Sequence, residues 1–521
     1  MKLSLLTTHR VHSLWLCVAL GAAACSDDGG GGAGSGSTAW GGDDESAAGT
    51  AGNADDGTAA ADGTGSGDDG GGTDGDTDGD GSSDGGDGPT DWDAAFDHVF
   101  PQDHVVEINI LPPPGVWTAM LAELDTTGER TYAESAMEFD DETIDSMGFR
   151  PKGWSSIDFG SGPGGVPNNG NSQPGGKFPV KVDFDRFDDT RFHDVNKINF
   201  GNNWADLSYM RERLANRLYA AMGVPAPRTA YARVSIDGNN NGLYTAVQQI
   251  DKTFLEEHFG DGNGNGNLYK AVITDTDMGA LTWRGSTQAD YVSTTTCPSA
   301  DICGLVLKTN EDDPAKNDYA DIIGFLDVLN NTATPQFEAA IEDVFDVDSF
   351  LRLAAVSVVT SSFDGYLGMG HNYYLYNRPD TGKFMMIPWD QNESYAGHPC
   401  APDATEFDIY SPVCDQRGHD FALAYRIFAV PSFQAQYVAY IQELLDTVFT
   451  EEQHIEWITE FDNLIHRHIA SDPNYIQSVD IYERSLGYDV PSGPNLGGHG
   501  GVEYNLMDFV VRRRAFVLSQ L

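Results

Sequence analysis

Residues 363–392 read FDGYLGMGHNYYLYNRPDTGKFMMIPWDQN, and their pattern predicts a β-hairpin. The turn PDTG stands between two runs rich in aromatic and apolar residues, as expected for two antiparallel strands. Pairing around Asp380 brings the two outer ends of the hairpin together, so Asn372 is expected within one or two residue pairs of Asp390. Asp364 enters the same end from the preceding loop.

Two carboxylates and one carboxamide therefore meet at one rim of the predicted hairpin, those of Asp364, Asp390 and Asn372. Oxygen ligands of this kind suit Mg²⁺ or another hard cation, so the sequence predicts a metal site here. The alternative is purely structural, because Asp and Asn are common in turns and tyrosine is common in strands. The pattern alone leaves both interpretations open.

Residues 1–25 have the pattern of an export signal. Lys2 and Arg10 precede the apolar run LWLCVALGAAA, which is too short to span a membrane. Cys25 follows directly and predicts a bacterial lipoprotein in which Cys25 is the lipidated first residue. Ordinary secretory cleavage near the same point is the alternative. We expect an exported protein of the cell envelope, on the outer-membrane or periplasmic side, that touches the membrane only through its anchor.

Residues 26–95 are predicted to form a disordered acidic tether. As far as residue 92 they are almost wholly Gly, Asp, Ser, Ala and Thr, which cannot bury enough apolar surface to fold. Residues 26–92 hold 17 of the 80 acidic residues and none of the 30 basic ones, so the part that follows is also strongly acidic. A formal net charge of −50 argues against nucleic acid as a partner.

Four cysteines follow the signal, at positions 297, 303, 400 and 414. In an exported chain an even set indicates disulfides, although four cysteines allow three connectivities. Local pairing of Cys297 with Cys303 and of Cys400 with Cys414 is the interpretation we prefer. A zinc site and free thiols remain as alternatives, and the zinc site lacks the usual CxxC spacing.

Residues 96–521 are predicted to form one large α+β domain whose C-terminal third is mostly helical. Alternating or β-rich patterns predict strands, and apolar residues three to four positions apart predict helices. One helix is expected over residues 204–223 with Asp206 as its cap. The other main expectations are strands in DHVVEINILP and KFPVKVDF, a hairpin in RTAYARVSI–DGNNNG–LYTAVQQ, and helices in DKTFLEEHF, VDSFLRLAAVSVVTS and the C-terminal NLMDFVVRRRAFVLSQL.

Over roughly residues 101–518 the chain resembles the spore coat protein H (CotH) kinase-like family. The motifs that carry the resemblance occur in order along the chain: RPKGWSSI, KFPVKVDFD, DLSYMRERLANRL, GLYTAVQQIDKTFL, and the pair FDGYLGMGHNYYLY and IPWDQN. The resemblance implies an atypical protein-kinase-like fold and phosphorylation of protein Ser/Thr with ATP and a divalent metal, Mg²⁺ or Mn²⁺.

The resemblance also implies roles for the residues of the rim. Asp364 is similar to the catalytic-loop aspartate that orients or deprotonates a hydroxyl group, whereas Asn372 and Asp390 are similar to the metal-binding asparagine and aspartate. Such roles fit phosphoryl transfer, which depends mainly on positioning and charge neutralisation.

A second set of residues is implied to contact the phosphates of the nucleotide. Lys177 is the first candidate for the phosphate-pairing lysine and Lys181 the second. A phosphate-covering segment and one further positive contact are expected from Lys152, Gly153, Ser155, Ser156 and Arg211. The structural alternatives are exposed strand lysines for Lys177 and Lys181, turn formers for Ser155 and Ser156, and an exposed helix residue or a surface ion pair for Arg211.

Three positions depart from the family pattern. Trp154 replaces the usual Asn, Gln248 replaces a Glu, and Asn392 replaces an Asp. If the family's Glu pairs with the phosphate-binding lysine, Gln248 keeps a hydrogen bond but loses the charge. Asn392 removes one carboxylate from the metal site.

Two functions are therefore compatible with the sequence. The first is an exported kinase, expected to be a monomer, that acts on Ser/Thr of surface or secreted proteins. The second is a non-catalytic lipoprotein that uses the same fold for adhesion or matrix assembly.

Overall fold

The computed structural model describes residues 92–153, 156, 177–188, 190–272, 279–292, 302, 304–398, 400–401, 403–415, 420–474, 478–487 and 504–521. The described residues belong to one compact unit with a mixed α+β fold, as predicted. The predicted signal, the lipidation site Cys25 and most of the predicted tether lie outside these residues. The first helix begins at Trp92, so the predicted boundary at residue 96 lies inside a helix.

Seven strands of the N-terminal half form a closed barrel. Six neighbouring pairs are antiparallel, and a parallel pair between the first and sixth strands closes the barrel. Around the barrel the order is 1-2-3-4-5-7-6. The strands are β1 (Val106–Leu111), β2 (Ala133–Phe139), β3 (Glu142–Pro151), β4 (Val180–Asp183), β5 (Lys197–Gly201), β6 (Thr229–Ile236) and β7 (Asn239–Gln248).

A second sheet carries the predicted hairpin. Its strands are β8 (Leu268–Ala271), β9 (Leu305–Leu307), β10 (Tyr373–Asn377) and β11 (Phe384–Pro388), in the order β11-β10-β8-β9. Strands β10 and β11 pair antiparallel from Tyr373↔Pro388 to Asn377↔Phe384, which confirms the hairpin. The tyrosines of β10 are buried, as expected for strand packing.

Helices surround the two sheets and make up most of the C-terminal part, which confirms the predicted fold class. They are α1 (Trp92–Val99), α2 (Val116–Thr127), α3 (Arg211–Ala221), α4 (Lys252–Phe259), α5 (Ala320–Asn331), α6 (Thr334–Val344), α7 (Val347–Val359), α8 (Tyr366–Met369), α9 (Ala422–Phe428), α10 (Pro431–Thr447), α11 (Glu451–Ile469), α12 (Val479–Leu486) and α13 (Leu506–Gln520). Among the described residues, no helix has the length and apolarity that crossing a bilayer requires.

Two of the sequence predictions need correction in detail. Helix α3 begins at Arg211 and not near residue 204, because Asp206 accepts hydrogen bonds from the backbone N–H groups of Ser208 and Arg211 and so stabilises a turn before the helix. The hairpin of β6 and β7 turns at Asp237 and Gly238, whose φ values of 52° and 72° allow a tight two-residue turn. The NNNG that follows belongs to β7.

Two large apolar cores hold the fold together. One fills the barrel, where Val180 and Val182 of β4 pack with inward residues of the other strands. The other lies among the helices and includes nearly all of α7. Helix α7 leads into the loop that contains Asp364, so the buried helix fixes the start of that loop.

Candidate active site

The open end of the β10–β11 hairpin brings two of the predicted site residues together. The backbone N–H of Trp389 donates to the carbonyl oxygen of Asn372 at 3.1 Å, which extends the ladder one step beyond Tyr373↔Pro388. Asp390 follows Trp389 directly. The predicted proximity of Asn372 and Asp390 is therefore confirmed.

Asp364 reaches the same end from the loop after α7. The Asn372 Nδ2 atom donates to the Asp364 carbonyl oxygen at 2.8 Å and to its Oδ2 atom at 2.9 Å. The His371 Nε2 atom lies 2.8 Å from Asp364 Oδ1. The Asp364 side chain is 21% exposed, so the carboxylate is held by two neighbours and still accessible from outside.

Two residues of this rim have an unusual backbone conformation. Asn372 has φ 53° and Asp390 has φ 57°, in the left-handed region. Asn and Asp tolerate this region better than other side chains, but it still costs energy. Backbone strain of this kind is concentrated at functional sites, where it fixes the direction of a side chain.

The loop after Asp390 adds two potential ligands that the sequence reasoning missed. Glu393 is buried, and its Oε2 atom lies 3.1 Å from His398 Nδ1. The ligand atoms of Asp364, Glu393 and His398 all lie within 4.8 Å of one another. Carboxylate and amide oxygens dominate this rim, and this donor set fits a hard divalent cation.

Glu212, on the first turn of α3, was also missed. It interacts electrostatically with Asp390 and with Lys152, and its carboxylate accepts the backbone N–H of Gln391. Burial and the nearby charge of Asp390 raise the pKa of Glu212 to about 8, against the opposing effect of Lys152. The apolar repeat of α3 gives no sign of this role, because Glu212 does not belong to it.

Lys152 lies beside this group of carboxylates. Its Nζ atom lies over the Trp389 ring, 5.5 Å from the centroid. The next residue, Gly153, has φ 83°, and a Cβ atom there would collide with the Ser156 hydroxyl group. This backbone conformation favours glycine at position 153, and the phosphate-covering role of the segment stays a prediction. Ser155 and Trp154 lie outside the described residues.

Lys177 has a partner inside the protein. Its amino group forms a fully buried ion pair with Asp472, with Nζ and Oδ2 2.9 Å apart, and donates to the Tyr209 hydroxyl group at 2.9 Å. Burial lowers the pKa of Lys177, and Asp472 opposes that change. Asp472 Oδ2 also accepts the backbone N–H of Leu243. In the structure the partner of Lys177 is Asp472 of the protein itself, and the phosphate-pairing role of Lys177 stays a prediction.

Lys181 and Arg211 are buried as well. Lys181 lies in β4, opposite Arg150 of β3, and alternates with Val180 and Val182 of the barrel core. Arg211 Nη1 lies 2.7 Å from Asp206 Oδ1, and its Nη2 atom donates to the Tyr504 carbonyl oxygen at 2.9 Å. The Arg211 ion pair is buried and not at the surface, so the exposed alternatives for Arg211 and Lys181 are wrong, and the nucleotide-binding roles of both residues stay predictions.

The departures at Gln248 and Asn392 take part in structural hydrogen bonds. Gln248 Oε1 accepts the backbone N–H of Arg228, and its Nε2 atom donates to Glu257 at 2.8 Å. The Asn392 amide donates to the Trp204 carbonyl oxygen at 2.9 Å.

The predicted disulfide between Cys400 and Cys414 is confirmed, with Cα atoms 5.7 Å apart. It closes a loop just after His398. Cys297 and Cys303, the other predicted pair, lie outside the described residues.

The family model described as "CotH kinase protein" matches residues 169–515, well over half of the chain. The chain therefore belongs to the CotH kinase family, and the resemblance seen in the sequence is confirmed. This membership makes the chain a kinase-like protein.

Similarity to individual proteins extends over part of each chain. Inner spore coat protein H of Bacillus subtilis is 24% identical over 302 residues, covering 56% of this chain and 74% of that protein. The invasins CotH2 and CotH3 of Rhizopus delemar are 22% and 20% identical, covering 59% and 60% of this chain. The match spans only 52% of each invasin, about half its length.

Two solved structures show weak overlap. They are the Shewanella oneidensis HipA–HipB–operator DNA complex (TM-score 0.24, 11% identity, 62% of this chain and 57% of that one) and the Helicobacter pylori proinflammatory kinase CtkA (TM-score 0.22, 11% identity, 57% and 94%). Both TM-scores are too low for residues to be compared.

Proposed function

We propose that this protein is an exported, metal-dependent kinase that transfers the γ-phosphoryl group of ATP to Ser/Thr hydroxyl groups of surface or secreted proteins. One observation carries the proposal: Asp364, Asn372 and Asp390 meet at the open end of one hairpin, beside Lys152 and Glu212. Family membership supports phosphoryl transfer as the reaction class.

Each residue of the rim has a role in this proposal. Asp364 accepts the proton of the attacking hydroxyl group, and His371 holds the carboxylate in place through its hydrogen bond. Asn372 and Asp390 hold a divalent cation, Mg²⁺ or Mn²⁺, which when bound neutralises charge on the phosphates. Glu393 and His398 add two potential ligand atoms within 4.8 Å of an Asp364 ligand atom at the same rim.

Lys152 is the lysine that we place on the phosphate side. Lys152 and Asp390 both interact electrostatically with the Glu212 carboxylate, whereas the amino group of Lys177 is buried in its ion pair with Asp472. Gly153 and Ser156 form the tight segment beside it, where the backbone can approach the phosphates closely.

Export belongs to the same proposal. The relatives named as a spore coat protein and as invasins are consistent with a surface or exported location. We place the lipid anchor at Cys25 and expect a monomer whose partner is a protein substrate. Labelling cells with a radioactive fatty acid should mark the parent and not Cys25→Ser, and a labelled variant would contradict the anchor.

The activity can be tested with purified protein, Mg²⁺ or Mn²⁺, and ATP labelled at either the α- or the γ-phosphate. Label from γ-ATP should appear on the protein itself or on a generic acceptor such as casein. Asp364→Asn and Asp390→Asn should each lower the rate at least about 100-fold. Asp380→Asn is the matched control, because Asp380 lies in the turn at the other end of the same hairpin and pairs with Arg378.

The outcomes separate the candidate functions. Transfer of label from ATP labelled at the α-phosphate would show that the reaction is nucleotidyl transfer and not phosphoryl transfer. Metal-dependent binding of nucleotide without any transfer would favour a non-catalytic role. That second function, adhesion by a surface protein, is supported by the two relatives named as invasins. It predicts that Asp390→Asn leaves attachment to a surface unchanged.

A further inference from the structure

A group of two histidines and one glutamate lies at the protein surface, away from the residues of the candidate active site. His98 comes from the last turn of α1, Glu142 is the first residue of β3, and His193 comes from the loop between β4 and β5. We propose that these three residues bind a transition-metal dication such as Zn²⁺, which fastens α1 to the barrel.

The ligand atoms already converge. His98 Nε2 lies 2.6 Å from Glu142 Oε1, and His193 Nε2 lies 3.1 Å from each carboxylate oxygen. One ligand atom from each residue lies within 4.8 Å of the other two. Ligands bound tetrahedrally to Zn²⁺ at about 2.1 Å are about 3.4 Å apart, so small side-chain movements complete the site.

The chemistry of the three side chains selects the kind of metal. Two imidazole nitrogens favour Zn²⁺, Cu²⁺ or Ni²⁺ over Mg²⁺ and Ca²⁺, which prefer oxygen ligands throughout. Two histidines and one carboxylate leave a fourth tetrahedral position for water. The candidate active site has the opposite character, since oxygen ligands dominate there.

The two imidazole rings are held unusually close together. Their centroids are 3.9 Å apart, with an angle of 37° between the planes. A metal ion coordinated by both rings would account for two imidazole nitrogens that face the same carboxylate.

The surrounding residues hold the rings in this arrangement. The His98 ring lies 6.1 Å from each of the Phe139 and Phe192 rings, and the His193 ring packs edge-on against Phe192 at 4.6 Å. The backbone of His193 and Asp194 is left-handed, with φ values of 47° and 63°. Such a conformation costs energy, and here it directs the imidazole of His193 toward Glu142.

The position of the site suggests what the metal does. Helix α1 is the first described element, and its first four residues overlap the end of the segment predicted as a tether. The three ligands come from separate parts of the chain, so a bound metal would cross-link α1 to the barrel where the predicted tether ends. This role is independent of the proposed kinase reaction.

Zinc titration of the full-length chain tests the proposal, after a chelator has been used and removed. Isothermal calorimetry should show Zn²⁺ binding that Mg²⁺ does not displace. His98→Ala, Glu142→Gln and His193→Ala should each weaken this binding at least about 10-fold. His466→Ala is the matched control, because His466 is equally exposed and also lies near two carboxylates, Asp462 and Glu483.

The second group of potential ligands at the candidate active site needs its own control. His398→Ala should weaken zinc binding at the candidate active site and leave the His98 site intact. The His98 variants should show the opposite pattern. Thermal unfolding gives an independent measurement: Zn²⁺ should raise the unfolding temperature of the parent and of His398→Ala, but not that of the His98→Ala/His193→Ala double variant.

Two results would overturn the inference. One is a parent that binds no Zn²⁺ at 100 µM, roughly the limit expected for a useful three-ligand site. The other is a double variant that binds Zn²⁺ with the stoichiometry and affinity of the parent. In chelator the double variant should still unfold in one cooperative transition, which separates loss of metal binding from misfolding.

Discussion

Replacing Lys177 with methionine should destabilise the protein far more than it impairs any chemistry. The Lys177 amino group and the Asp472 carboxylate have no exposed side-chain surface and lie 2.9 Å apart. Lys177→Met leaves the charge of Asp472 buried with only backbone donors such as the N–H of Leu243. Removing one partner of a buried ion pair costs about 3–5 kcal/mol, and we expect a loss of that size in the free energy of unfolding.

Lys152→Met is the matched comparison. The Lys152 amino group lies over the Trp389 ring, and such a contact contributes about 1 kcal/mol or less at an accessible position. This variant should therefore keep nearly the stability of the parent but lose most of its affinity for nucleotide. Lys177→Met, measured below its unfolding temperature, should keep its affinity for nucleotide within about 10-fold.

Urea unfolding followed by tryptophan fluorescence measures the first quantity, and nucleotide titration in Mg²⁺ measures the second. A double-mutant cycle with Asp472→Asn isolates the ion pair and should give a coupling energy above about 1 kcal/mol. An unchanged urea midpoint for Lys177→Met would refute the reasoning from burial. If Lys177→Met is fully folded but binds no nucleotide, while Lys152→Met still binds it, then Lys177 and not Lys152 contacts the phosphates.

Three further changes should have measurable effects. The disulfide between Cys400 and Cys414 closes a loop of 14 residues. Replacing both cysteines with serine should therefore lower the free energy of unfolding in urea by about 3 kcal/mol. An unchanged urea midpoint would mean that the bond constrains the unfolded chain little. Burial lowers the pKa of His454 to about 4 from 6.5, so the stability that its neutral form supplies is present above pH 6.5 and is lost as pH falls toward 4. The difference in unfolding free energy between the parent and His454→Gln should therefore shift by about 3 kcal/mol from pH 7 to 4, and a constant difference would contradict the depressed pKa. Gln248→Glu should lower the free energy of unfolding by about 1–3 kcal/mol, because it removes a donor to Glu257 and adds a second negative charge. Faster phosphoryl transfer in this variant would show that a glutamate at position 248 matters for catalysis.

The hairpin at the centre of the site was predictable because its determinants are local. A four-residue turn fixes which residues pair, and the pairing then places Asn372 beside Asp390. Helix α7 was predictable for a similar reason, since its apolar residues are continuous and its first turn is capped by Asp346. Short-range patterns of this kind need no knowledge of the rest of the molecule.

The partners of the charged residues could not be predicted in the same way. Lys177 and Asp472 are 295 positions apart, and nothing near either residue in the sequence indicates the other. Glu212 follows an arginine on a helix that reads as amphipathic, so its position beside Asp390 depends on how α3 packs against the loop after β11. Closure of the barrel could not be predicted from local patterns either, because the parallel pair of β1 and β6 joins strands that are far apart in the chain.

Two of the departures from the family pattern, Gln248 and Asn392, have structural roles that the sequence alone does not indicate. Gln248 is buried and bonded to Arg228 and Glu257, so its amide satisfies a donor and an acceptor that a glutamate could not satisfy together. The amide of Asn392 is likewise used by the Trp204 carbonyl oxygen, while the next residue, Glu393, supplies a carboxylate close to Asp364. The carboxylate that interacts with Lys152 comes from Glu212 on α3, far from Gln248 in the sequence. Both substituted amides thus have structural partners, and the two departures do not by themselves argue against the proposed kinase reaction.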